Sequence, residues 1–82
     1  MTPAVLETMR KAVKEFGKEA ATHRFTEAEK RALAEIVYTY ERQGYRTSEN
    51  EITRIAIHWL LQDYYQSGTQ SVLARLLESL HT

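Results

Sequence analysis

The sequence predicts a mainly α fold with one short β-strand, completed by a second copy of the chain. Three observations carry this expectation. Two helix starts of the same chemistry, Thr26 with Glu29 and Ser48 with Glu51, lie about twenty residues apart, each ahead of an apolar periodic run. The segment 20–25 is too short for a helix of its own, alternates in polarity, and has no strand partner elsewhere in the chain. The run 52–65 is apolar around most of a helix's girth, so it asks for cover on more than one side.

Taken in order, the first helix opens at Thr2 as N-cap with Pro3 at the first helical position, where the missing N–H costs nothing. Leu6, Met9, Val13 and Phe16 recur at spacings of three and four and mark one apolar face, with Gly17 just beyond. Alternation over 20–25 sends Ala20, Thr22 and Arg24 to one side and Ala21, His23 and Phe25 to the other. The alternative is that the first helix runs on to about Thr22 and a short loop follows.

The second helix begins at the capping box Thr26/Glu29, in which each side chain satisfies the other's backbone N–H. Its buried stripe is Leu33, Ile36, Val37 and Tyr40, and Gly44 supplies the left-handed residue that closes it. A third helix starts at Ser48 with a second expected box to Glu51. It carries one stripe of Ile52, Ile55, Ala56, Trp59 and Leu60 and another of Ile57, Leu61 and Tyr64. Gly68 ends it, and Val72, Leu73, Leu76, Leu77 and Leu80 define a last amphipathic helix. The divisions are an N-terminal helical extension over 1–19, a core over 20–67 and a C-terminal helix over 68–82.

At 82 residues the chain sits near the size where one core is barely sufficient and oligomerisation supplies missing burial. It has no cysteine, hence no disulfide framework or thiolate metal site, which fits a reducing cytoplasm. No apolar run reaches the roughly 18 residues of a membrane span and no secretory signal opens the chain, so a soluble cytoplasmic protein is expected. Eleven basic residues balance eleven acidic ones, yet residues 10–31 hold seven basic against four acidic, an excess of three. Local basicity of that kind suits a polyanion.

An enzyme is not expected. His23, His58 and His81 share no ligand spacing, and no glycine-rich phosphate loop occurs. No catalytic residue, metal or cofactor is assigned. Arg24 could instead present its guanidinium to guanine in a major groove, with Thr22 beside it at a base edge. Arg46, Thr47 and Ser48, at the start of the third helix, and Lys18 could hold phosphates, although Glu49 and Glu51 oppose an anion there. The five tyrosines read as core or interface rather than as a stacking platform.

Arg24-Phe25-Thr26-Glu27, the helix ending at Gly44, and the stretch from Thr47 through Ala56 resemble the ribbon-helix-helix family of prokaryotic DNA-binding proteins, the CopG, Arc and MetJ type. The resemblance covers roughly residues 20–66. It implies an intertwined homodimer whose paired strands enter the major groove of duplex DNA. Thr22 and Arg24 would then contact bases, and Lys18, Arg46, Thr47 and Ser48 would contact phosphates. Phe25, Ile52, Ile55, Trp59 and Leu60 would form the dimer core. It also places Arg54 in a structural ion pair.

The function expected on this basis is a sequence-preferring transcriptional regulator, a repressor by occupancy. Two alternatives stand beside it. One is a protein-interaction module, such as an antitoxin holding a protein partner through its C-terminal helix. The other is an all-helical assembly protein without DNA binding, in which 20–25 is only a linker.

Overall fold

A computed structural model describes residues 2–14 and 24–81. The described elements are α1 (Pro3–Val13), α2 (Glu27–Arg42), α3 (Glu49–Ser67), a 3-10 turn (Gly68–Gln70) and α4 (Val72–Leu80).

The mainly α expectation is met, but the ribbon is not: among the described residues there is no strand. Positions 20–23, with Ala20, Thr22 and His23 of the expected strand, lie outside the described residues. Arg24 and Phe25 lie within them as irregular chain running straight into the Thr26 cap. Strand pairing stabilises backbone only where a neighbouring strand completes the ladder, and six alternating residues are too weak a pattern to compel one. Phe25, expected to turn inward, is 43% exposed.

The helix starts follow the sequence closely. Thr2 Oγ1 accepts the Val5 N–H at 3.2 Å and Pro3 opens α1. At α2 the capping box is complete: Thr26 Oγ1 accepts the Glu29 N–H at 3.0 Å, and Glu29 Oε1 accepts the Thr26 N–H at 2.8 Å. Gly44, at φ +90°, closes α2. The Gly44 N–H donates to the Glu41 carbonyl and the Tyr45 N–H to the Tyr40 carbonyl, each at 3.0 Å, the paired bonds of a Schellman ending. Tyr40 and Tyr45 accompany them with an edge contact, their ring centres 6.3 Å apart.

Gly68 ends α3 at φ +49°, and the chain reverses through the 3-10 turn into α4. Two caps fix that reversal. Ser71, fully buried, accepts the Ala74 N–H at 3.2 Å, and Asp63 Oδ2 reaches from α3 to accept the Val72 N–H at 2.8 Å.

α3 is a spine on which the other helices lean separately. Among the described residues α1 and α2 each contact α3 and not one another, while α4 contacts α3 and the 3-10 turn only. Helices that meet only a shared axis enclose little between them. Val13 is accordingly the single buried apolar residue among those described, at 8% exposure. No described helix is long and apolar enough to cross a membrane.

Candidate functional site

The start of α3 is where the sequence places phosphate contacts, and the structure gives its polar groups to internal partners. Ser48 Oγ accepts the Glu51 N–H at 3.0 Å, as a cap should. The Glu51 carboxylate, however, does not return to the cap as the expected second box requires. It accepts from Nζ of Lys14, the residue that caps the end of α1, at 2.6 Å and from Thr47 Oγ1 at 2.9 Å. These hydrogen bonds, the Lys14 one first, hold the Glu51 carboxyl below the ordinary glutamate range against a partial opposing effect of burial.

Glu49 is engaged similarly. Lys30 Nζ of α2 stands 3.3 Å from Glu49 Oε1, an ion pair outside hydrogen-bond geometry. Two carboxylates and two cations therefore gather on the first turn of α3, and they tie α1 and α2 to it. The positive field of a helix N-terminus is largely offset in that company. Arg46 is exposed beside this turn, and Lys18 lies outside the described residues. Arg24 is exposed on irregular chain, with no element to aim it, and Thr22 is outside the described residues.

The apolar surface around α3 is the larger feature. α1 takes up the N-terminal part of the first stripe: Leu6, Met9 and Val13 face Ile55 across a cleft of about 280 Å³. A wider cleft of about 570 Å³, lined in part by Tyr40, Tyr45, Arg46, Ile52 and Ile55, opens where the end of α2 meets α3. Of the expected dimer core, Ile52 and Leu60 are half-buried, whereas Phe25, Ile55 and Trp59 are exposed. Ile57 and Tyr64 of the second stripe are exposed as well, and Leu61 is half-buried.

α2 has no buried residue, and its stripe members Ile36 and Tyr40 remain open. All five tyrosines are exposed on the single chain, so none serves as its core. On the outer side of α2, Arg42 lies over the Tyr38 ring at 5.7 Å from its centre. Arg54 Nε is buried without a hydrogen-bond partner among the described residues, and the ion pair implied for Arg54 is not formed there.

The sequence reading missed three groups: Lys14 as the tether of α1, Asp63 as a cap across the turn, and Ser71 as the buried start of α4. Only Ser71, a serine just ahead of an apolar run, left a local signal. The other two act across tertiary contacts that spacing does not reveal. Among the described residues no three His, Asp or Glu side chains converge as metal ligands would.

Comparison with known protein families, with curated proteins and with solved structures finds no match to this chain.

Proposed function

We propose that this chain is an all-helical assembly module whose working form is a self-associated oligomer. The observation that carries the reading is the amount of surface left uncovered. A compact monomer of this mass exposes about 5,000 Å², whereas this chain exposes 7289 Å². That is about 2,200 Å² more than a compact fold of the same mass leaves open. Its radius of gyration, 14.7 Å, likewise exceeds the roughly 12 Å of a compact domain of this length.

The exposed surface is also of the right chemistry. Tyr40, Ile57, Trp59 and Tyr64 are exposed on α2 and α3, and large aromatic and aliphatic side chains of this kind dominate the centres of protein interfaces. A second copy covering either stripe would supply core that Val13, the one buried apolar residue among those described, does not make. Base reading in a DNA groove, by contrast, needs a rigid element behind Arg24, and the assembly reading needs none.

Sedimentation equilibrium at micromolar concentration tests the proposal. The expected mass is a multiple of the 9.5 kDa chain, reduced by Trp59→Arg. A wild-type protein that stays folded at 9.5 kDa would overturn it. Titration into labelled random duplex DNA at physiological salt separates the regulator reading: assembly alone predicts no binding, whereas a DNA-binding protein gives a steeply salt-dependent isotherm.

A further inference from the structure

The N-terminal helix is lightly held, and it sits on side chains that a second copy would cover. Building on the self-association proposed above, we infer that α1 is an autoinhibitory strap: seated on α3 it withholds part of the association surface, and its release strengthens the contact between copies.

The seat is a slight one. Among the described residues α1 contacts α3 and no other element. It rests on one buried side chain, Val13, beside half-buried Val5, Met9 and Ala12, while Leu6 is exposed. A cleft of about 280 Å³ remains where Leu6, Met9 and Val13 face Ile55. One ion pair joins the end of α1 to α3, from Lys14 Nζ to Glu51 Oε2 at 2.6 Å, and most of the Lys14 side chain is open to solvent. Pairs so exposed hold weakly.

The seat also lies within the surface assigned to association. Glu51 and Ile55 line both the cleft under α1 and the wider one in which Tyr40 stands, so they form the ridge between the two. Trp59, one turn further along α3, continues the stripe of Ile52 and Ile55 and is exposed. Beyond it the surface turns polar, with Gln62, Asp63 and Gln66 around Trp59. The apolar length is therefore short, and the flank that α1 takes is a substantial part of it.

Release clears that flank instead of moving the obstacle. A helix of 11 residues is marginal in water without tertiary contacts, so α1 lifted from α3 unravels. Seated and released chains are then two populations, and only the released one offers Ile52, Ile55 and Trp59 as a single stripe. The apparent affinity between copies is reduced by the fraction of chains in that state.

Sedimentation equilibrium of full-length variants reads the device from both sides. Val13→Asp unseats α1 and should tighten the dissociation constant by about ten-fold or more, the gain expected when a minor competent state becomes the main one. Amide exchange confirms that α2, α3 and α4 persist in this variant. The reverse test joins Lys14→Cys to Glu51→Cys with a short bismaleimide in dilute solution, where the chain has no other cysteine to compete. The joined chain should associate about ten-fold or more less tightly than the same double variant left unjoined.

An unchanged constant in either comparison overturns the strap and leaves self-association standing. Weaker association of Val13→Asp makes α1 part of the contact and overturns the strap as well. Should Val13→Asp lose its other helices, the joined and unjoined chains decide alone. A wild type at 9.5 kDa beside a Val13→Asp that assembles sustains the strap and overturns self-association of the intact chain. If neither exceeds 9.5 kDa, both readings fall.

Discussion

Glu51 does three jobs in one turn of helix. Its backbone N–H meets the Ser48 cap, and its carboxylate takes hydrogen bonds from Lys14 and Thr47. A carboxyl held below its ordinary value stabilises the fold above the unfolded-state value, and that contribution disappears as pH falls through the lowered folded value. The α1 tether should therefore weaken below about pH 4.5, the ordinary glutamate value. The pair is partly exposed, with 63% of the Lys14 side chain open, so its worth is no more than about 0.5–1 kcal/mol. Glu51→Gln should cost that much at pH 7 and less at pH 3 in urea unfolding; an equal loss at both would locate its effect elsewhere. Glu7, lowered by its hydrogen bond from Arg10, titrates in the same range, and comparison with the variant removes its share.

At the scale of elements, α4 hangs on two caps rather than on a core. The Val72 N–H would otherwise be an orphan donor in the first turn, and Asp63 satisfies it with a charged acceptor. Asp63→Ala should destabilise by about 1–2 kcal/mol and speed amide exchange across α4 while leaving α1 and α2 protected as before. Uniform acceleration in every helix would mean that α4 is not a separate element.

The same scale shows what was legible in the residues. The capping box at Thr26, the caps at Thr2 and Ser48, and the glycines at 44 and 68 are local devices, and each appears where its spacing says. The strand failed for a related reason. A ribbon is not local, since its hydrogen bonds belong to another chain, and alternation from Ala20 to Phe25 is no substitute for them. Site residues fared as their logic allows. Thr47 and Ser48 do sit on the first turn of α3, but the cations that engage the acids there, Lys14 and Lys30, come from other helices and carry no mark in the sequence.

For the molecule as a whole, folding and association should be one process. An oligomer's apparent stability rises with concentration by mass action, because only the native state has partners to bind. The midpoint of thermal unfolding should climb steadily as the protein is concentrated from about 1 to 100 times a micromolar starting point. A midpoint that does not move over that range would describe a chain stable by itself. Urea unfolding offers the companion reading, since covering the exposed faces of α2 and α3 raises the surface released per chain.

The spine arrangement bears on how quickly this form is reached. α2 and α4 each settle against a sequence neighbour, α3, and only α1 must cross a longer stretch of chain to find it. Little loop-closure entropy is spent on such pairings, and helices themselves form within about a microsecond. On the self-association proposed above, the slow event is then expected to be the encounter of chains. Doubling the concentration in a refolding experiment should then shorten the time to native signal, a kinetic trace in which the bottleneck is diffusion between molecules rather than search within one.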